Sequence, residues 1–282
     1  MESMPAAGYD LHTHSTFSDG TTSPAEIARE AARIGLAGFA LTDHDTIDGW
    51  GEAREAAAAA GVDFVPGIEI TTKHRGLSRH LLGYGIRSEA GELFETLAEI
   101  RESRLARARE MVRRLSGEYA ISWDAVVGSN DVRTVGRPHI ADALVAAGYA
   151  VDRSAAFAEM LSPASPYYLD TYAVDTANAI RLVRDAGGFP VIAHPAASRQ
   201  RRPLPVDDLA ELAEAGLGGV ELDHPENRAD WLPPLAAHAV SLGLEVTGAS
   251  DYHGDGKPNR LGECTSPPEV VARIRADVAL PA

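Results

Sequence analysis

The sequence predicts an α/β barrel with a helical insertion, and three observations carry that expectation. Short apolar runs alternate with helix-period stretches along most of the chain. One internal segment is helical throughout and interrupts the alternation. Histidines and carboxylates recur where the apolar runs end.

The apolar runs are residues 9–11, 38–41, 63–65, 81–84, 190–193, 219–222 and 245–248. They are too short for helices and apolar on both faces, as strands of a parallel sheet covered on each side must be. Between them lie helix-period stretches at 24–34, 50–60, 176–186, 206–215 and 232–242. Strand–helix alternation is the pattern of parallel βα units. The first helix carries its own boundary signals: Ser23 as cap, Pro24 in the first turn, Glu26 three residues after the cap, and Gly35 just past the end.

Residues 89–161 break the alternation with successive helices at 92–115, 123–127, 138–147 and 153–160. This segment reads as an inserted helical subdomain for substrate recognition, leaving 1–88 and 162–282 as the barrel. Barrel insertions arise most readily from loops at the carboxyl ends of the strands, the face that carries active sites.

Composition narrows the classes. With 282 residues, 45% of them hydrophobic, the chain can bury one large core. Its net charge of −15 argues against gripping a long nucleic-acid duplex, which wants a basic face. The single cysteine, Cys264, excludes an intrachain disulfide and a cysteine-based zinc site. Residues 1–10 have neither the basic start nor the apolar core of a secretory leader, and no apolar run is long enough to span a membrane. A cytoplasmic protein is expected, and nothing specifies an oligomer.

The histidines fall where chemistry would. His12 and His14 follow the first run, and Asp43-His44-Asp45 the second. Glu69 follows the third, and His80 stands at the start of the fourth. His194 follows the next, then Glu221 with His224, then Asp251 with His253. One histidine beside a strand is usually a hydrogen-bonded structural residue, but repetition at so many strand ends argues for a shared site. In His12-x-His14 and Asp251-x-His253, alternate residues of an extended strand point the same way, so both can reach one ion. Mixed imidazole and carboxylate ligands suit zinc, manganese or iron. So many ligands on one face argue for more than one ion, as in sites that clamp the attacking and leaving oxygens of a phosphoryl transfer. No strand end carries a lysine that could be carboxylated; Lys73 and Lys257 read as loop residues.

These segments resemble the PHP (polymerase and histidinol phosphatase) family over nearly the whole chain. The matching stretches are Asp10-Leu11-His12-Thr13-His14 through Ser18-Asp19-Gly20, Leu41-Thr42-Asp43-His44-Asp45-Thr46, Gly67-Ile68-Glu69-Ile70, His80-Leu81-Leu82-Gly83-Tyr84, Ala193-His194-Pro195 and Gly248-Ala249-Ser250-Asp251-Tyr252-His253-Gly254. The resemblance implies a distorted (β/α)7 barrel holding about two to three divalent ions, manganese first and zinc or iron as alternatives. The implied ligands are His12, His14, Asp19, His44, Glu69, His80, His194, Asp251 and His253. Glu69, Asp251 and His194 would lie nearest the chemistry, with Glu69 bridging ions and hydroxide generated at the ions attacking phosphorus in line. Within the family, the helical insert is most similar to a bacterial branch. Its members remove the 3′-phosphate of nucleoside 3′,5′-bisphosphates, and some trim short 5′-phosphorylated RNA. The expected partner is therefore a small phosphorylated substrate, a nucleotide.

A second phosphate needs donors of its own. Most arginines of the 92–115 helix read as solvated, but Arg104 falls in phase with Leu97, Ile100, Ala108, Met111 and Leu115. An arginine in a packed stripe wants an anionic partner. Arg137-Pro138-His139-Ile140 begins a helix whose free N–H groups favour an anion. In the resembling branch these positions contact substrate; His224 is a weaker candidate for lining the pocket, and His74 and His238 read as surface or structural residues. Two other functions use the same residues. One is a phosphodiesterase opening a small cyclic phosphosugar; stacking aromatics such as Tyr167, Tyr168 or Tyr172 would favour the nucleotide instead. The other is an inactive, metal-stabilised interaction module, which the full ligand set opposes because structural metal sites are usually closed and four-coordinate.

Overall fold

β1 (Tyr9–Thr13), α1 (Pro24–Ile34), β2 (Gly38–Leu41), α2 (Trp50–Ala60) and β3 (Asp63–His74) open the chain as two right-sized βα units. The computed structural model describes residues 7–87, 91–128, 135–200 and 202–278. Thus residues 1–6 and the expected boundary at 88/89 lie outside the described residues. β4 (Leu77–Tyr84) follows, then the helices α3 (Gly91–Leu115), α4 (Trp123–Val127), α5 (Arg137–Ala146) and α6 (Arg153–Ala158). The barrel resumes with β5 (Val174–Asp175), α7 (Thr176–Asp185), β6 (Phe189–Ile192), α8 (Val206–Glu214), β7 (Gly219–Asp223), α9 (Leu232–Ser241), β8 (Glu245–Gly248) and α10 (Pro268–Asp277).

Seven strands run in the order β1-β2-β3-β4-β6-β7-β8, with β5 pairing the outer part of β3. The sheet is nearly closed into a barrel. His14 N–H donates to Tyr252 C=O at 2.8 Å, and Tyr252 N–H donates to His12 C=O at 3.3 Å. These bonds lay the segment after β8 against the end of β1.

One strand departs from the parallel expectation. β4 is antiparallel to both neighbours, β3 and β6. The cause is local: Arg75-Gly76, with φ of 48° and 76°, makes a two-residue turn of the kind that joins antiparallel strands. β3 and β4 therefore extend well past the apolar cores visible in sequence. Lys73, expected in a loop, lies on β3 and donates to Asp170 at 2.7 Å. The reversal has a consequence for the site. The start of β4 reaches the same end of the barrel as the carboxyl ends of the parallel strands, so His80 arrives beside the other histidines.

Cross-strand pairing sets the inner face. Gly67 pairs with Tyr84, Glu69 with Leu82 and Thr71 with His80, so all six share one side of the hairpin. A Cβ on Gly67 would sit 2.7 Å from the Thr42 methyl and 3.1 Å from the Tyr84 ring, so only glycine leaves that ring its place. Tyr84 is fully buried, and its hydroxyl donates to Leu11 C=O at 2.9 Å, joining β4 to the non-adjacent β1 across the barrel.

α3 belongs to two cores. Leu93, Leu97 and Ile100 pack with the barrel residues Ile68, Ile70, Leu81 and Val183. Beyond Arg104, Ala108, Met111, Val112 and Leu115 join Ile140, Leu144, Ala156 and Leu161 in a core of the helical segment's own. Arg104 stands where one stripe passes from the first core to the second. α10, absent from the sequence expectation, closes the far end of the barrel through Val270, Val271 and Ile274. No helix among the described residues is long and apolar enough to cross a membrane.

Replacing Tyr84 by Phe should remove the cross-barrel bond without changing packing. A loss of about 1 kcal/mol, or roughly 2–4 °C in Tm, is expected. Denaturant unfolding of the two proteins measures it, and identical midpoints would show that the bond carries no net stability.

Candidate metal centre

The Glu69 carboxylate, 1% exposed, is the meeting point of five imidazoles. Its Oε1 lies 2.6 Å from His80 Nδ1 and 3.2 Å from His194 Nε2. Its Oε2 lies 3.3 Å from His12 Nε2, 3.0 Å from His14 Nε2 and 3.1 Å from His44 Nδ1. Asp251 Oδ1 approaches His12 and His14 Nε2, each at 3.4 Å. Asp19 reaches His253 Nε2 at 3.3 Å and His44 Nε2 at 3.8 Å.

Three groups of ligand atoms result, and they overlap: His14, Asp19, His44 and His253; His12, His14, Glu69 and Asp251; and His44, Glu69 and His80. Each is compact enough for one ion. A fourth, His12 with Glu221 and His224, adjoins them. Another, His74 with Asp208 and Glu211, is already served by Arg75, 3.0 Å from Asp208 and 2.6 Å from Glu211. His74 is thus a buried structural residue.

The loops are shaped for this convergence. Asp45, His194 and Asp251, the only site residues with left-handed backbone among the described non-glycines, have φ of 55°, 28° and 56°. Non-glycine residues hold such angles only where the surroundings over-determine them. Asp43 accepts from Ser15 N–H at 2.8 Å and from the Ser15 and Ser18 hydroxyls at 2.7 and 2.5 Å, folding the loop after β1 back on itself. Gly20 closes that loop; a Cβ there would sit 2.3 Å from His14 C=O. Asp10 fixes the loop after β8 by accepting from Ser250 N–H at 3.0 Å and Gly262 N–H at 2.8 Å.

Burial opposes charge on every group here, yet the pairing overrides it for the carboxylates. His253 and His44 hold Asp19 well below the usual carboxylate range against its burial. His44, His80 and His12 do the same for Glu69, and Lys257, His12 and His253 for Asp251. Burial and the Arg199 charge push His194 well down, and burial with the His14 charge takes His253 to about 4. His12 and His14 go the other way despite burial. Glu221, Glu69 and Asp251 raise His12 well above its ordinary value, and Asp251 and Glu69 raise His14 to about 9.

The donor set fits divalent ions. His44 Nδ1, His80 Nδ1 and His224 Nε2 are buried without a hydrogen-bond partner, although His44 and His80 lie within about 3 Å of Glu69. Close but misaligned donors are what ligands aimed at a shared centre look like, and unsatisfied buried polar atoms otherwise cost stability. Glu221 supports the arrangement from behind: Oε1 is 3.0 Å from His12 Nδ1, and Oε2 accepts from His194 N–H at 2.9 Å. A carboxylate on the far ring nitrogen fixes the tautomer that turns Nε2 toward an ion.

Residues 10–150 match the PHP domain model. The chain belongs to the PHP domain family. Among curated relatives it is 34% identical to a 3′,5′-nucleoside bisphosphate phosphatase from Chromobacterium violaceum, over 90% of each chain. It is 32% identical to a phosphoribosyl 1,2-cyclic phosphate 1,2-diphosphodiesterase from Eggerthella lenta, over 87% of this chain and 94% of that one. Among solved structures, a protein from Bifidobacterium adolescentis described as a metal-dependent phosphoesterase superimposes with a TM-score of 0.94 at 41% identity, covering 97% of both chains. This PHP protein is accordingly a hydrolase acting on phosphoester bonds.

The helical segment adds cations to the PHP centre. Arg104, 8% exposed, donates to Asp45 Oδ2 at 2.7 Å and to the Thr71 hydroxyl, and Arg101 donates to Asp45 C=O. Asp45, next to His44, thereby ties α3 to the loop after β2. Arg137 lies between the rings of Phe157 and Tyr168, at 5.2 and 5.5 Å, and donates to Leu161 C=O at 3.3 Å. His139 accepts from Gly136 N–H at 3.2 Å and so caps α5, with Pro138 beside it in the first turn. Ile140 places its side chain in the core of the helical segment. His224 is buried beneath the centre, 3.5 Å from Asp251 Oδ2. Tyr167 packs against Tyr119, while Tyr172 is 47% exposed.

Four participants escaped the sequence reading. Glu221 was visible only as one more strand-end acid. Arg107 looked solvated, yet burial and the charges of Arg104 and Arg137 push it down to about 9, and its Nε has no partner among the described residues. Lys257 read as a loop residue and Arg199 carried no signal, but they reach Asp251 and His194. Glu221 and Arg107 show their roles only through long-range contact, whereas Arg199 and Lys257 act five and six residues from their partners, where loop geometry decides. Replacing Glu221 by Gln should weaken divalent-ion affinity about 10–100-fold, as losing an outer-shell partner does. Metal-binding titration checks this, and unchanged affinity would mean His12 is oriented without it.

Proposed function

We propose that the centre binds about two to three divalent ions, manganese foremost. Their ligands would be His12, His14, Asp19, His44, Glu69, His80, His194, Asp251 and His253, and the substrate a nucleoside 3′,5′-bisphosphate that loses its 3′-phosphate. Ions held there supply Lewis acidity toward phosphoryl oxygens and a nucleophilic oxygen near neutral pH. The protein's own part is positional. Glu69 keeps five imidazoles on one focus, Glu221 turns His12 and fixes the His194 backbone, and Asp45 fixes the helical segment against the centre.

One observation favours a substrate with two phosphates. Arg104, Arg107 and Arg137 gather on the helical segment: burial with the Arg104 and Arg137 charges pushes Arg107 down to about 9, and burial with the Arg104 charge lowers Arg137. Asp45 is the one carboxylate bonded to any of the three among the described residues. Arg104 is buried and Arg107 and Arg137 are half-buried, and cations in such surplus want an anion that the protein does not supply. A second phosphate, on the arginine fork, fits that need. The cyclic-phosphosugar reading rests on the Eggerthella relative; the Tyr168 ring beside Arg137 favours the nucleotide, since a nucleobase can stack where a compact sugar has no ring to offer.

The test is kinetic. Hydrogen bonds to charged groups are worth roughly 1.5–3 kcal/mol, so Arg137→Ala and Arg104→Ala should each lower kcat/KM for a bisphosphate about 10- to 100-fold. Hydrolysis of a simple phosphate monoester, slow in the wild type, should barely change. Because Arg104 also serves Asp45, its variant is compared at matched folded fraction. Equal losses on both substrates would assign these arginines to structure and overturn the bisphosphate reading.

A further inference from the structure

The loops after β6, β7 and β8 bring two cations to the rim of the metal centre, and one carboxylate joins them. Glu226 pairs through Oε2 with Arg199 Nη1, and its Oε1 lies 3.3 Å from Lys257 Nζ. Its backbone holds it there: the carbonyl accepts from Ser198 N–H at 2.9 Å, and the N–H donates to His224 Nδ1 at 3.1 Å. From this hinge Arg199 extends to His194, with Nη2 3.1 Å from Nε2. Lys257 extends to Asp251, with Nζ 2.5 Å from Oδ2. Their side chains are 42% and 26% exposed, so both reach inward from solvent and have room to turn.

Both contacts fall on residues of the metal centre. His194 Nε2 also faces Glu69 Oε1, and Asp251 turns its other oxygen, Oδ1, toward His12 and His14. When these side chains serve divalent ions, a guanidinium and an ammonium beside them meet like charge at close range. An anion seated between them relieves the conflict. Once Asp251 serves an ion, Glu226 alone supplies one negative charge to the two cations, which leaves one positive charge uncompensated on the rim. A guanidinium fork and a lysine point charge together suit the non-bridging oxygens of a phosphoryl group.

We propose that Arg199 and Lys257, hinged on Glu226, form a clamp that turns from His194 and Asp251 onto the oxygens of the phosphoryl group seated at the metal centre. The proposal rests on the phosphoester reading and deepens it. The clamp holds the reacting phosphate, whereas Arg104 and Arg137 hold the distant one. Its ligand is a tetrahedral phosphoryl oxyanion, whether still esterified or released as inorganic phosphate. The clamp therefore acts on every ester the enzyme takes, without regard to a second phosphate.

Titration calorimetry of inorganic phosphate into the manganese-loaded protein tests this directly. Arg199→Met and Lys257→Met should each weaken phosphate binding about 10- to 100-fold, with metal content equal to wild type by elemental analysis. Their rates on a monoester and on a bisphosphate should fall by the same factor. Arg199→Lys and Lys257→Arg, which keep the charge, should recover part of the affinity, and they carry the test if either methionine variant fails to fold. Phosphate affinity unchanged in the variants overturns the clamp, and so does a loss of affinity that merely tracks loss of metal. If the loaded wild type neither binds phosphate nor hydrolyses any ester, the phosphoester reading itself falls; if it does both and the variants match it, only the clamp falls.

Discussion

A carboxylate buried among five imidazoles is the constraint around which this protein is organised. Glu69 has almost no exposed surface, and an isolated buried charge there would be prohibitive. It is tolerable because β1, β2, β4 and β6 or the loops that follow them each deliver a histidine to within about 3 Å of it. Removing any one of those elements would leave charge uncompensated in the barrel mouth. The same compactness keeps several ligand groups overlapping, so that ions bound there would share ligands.

The rest of the fold reads as support for that convergence. The reversed β4 exists because a tight turn sends it back along β3, and the reversal is what places His80 opposite Thr71 on the inner face. The strained backbones at Asp45, His194 and Asp251 turn the chain sharply at the ends of strands, where a relaxed loop would carry the side chains away. The helical segment is anchored by α3, whose first half packs in the barrel and whose second half builds a separate core. At the crossover, Arg104 bonds to Asp45, and through it the inserted helices are held in register with His44.

Much of this was legible in the sequence, because strand ends are marked locally. Apolar runs and capping signals gave α1, α2, β2, α4 and β8 their observed limits, and the recurrence of histidines and carboxylates at the run ends announced the shared site. What escaped depended on contacts distant in sequence or on the path of a loop. The outer halves of β3 and β4 lack an apolar signature, since they pair beyond the core, so the antiparallel hairpin and the placement of Lys73 were misread. Glu221 differs from an ordinary strand-end acid only through His12, more than two hundred residues away. Arg107 is indistinguishable from its solvated helix neighbours until the 137 turn folds over it, and Lys257 gains its role only through the glycine-rich loop that brings it to Asp251.

Glu69→Gln tests the central claim most directly, because it keeps the shape of the side chain and removes its charge. Metal content and phosphoester hydrolysis of the purified variant are compared with wild type at matched folded fraction. The account predicts that the variant holds fewer divalent ions per chain and loses more activity than the roughly 10–100-fold typical of an outer-shell partner. Full metal content with full activity would contradict it, and would move the organising role to another residue.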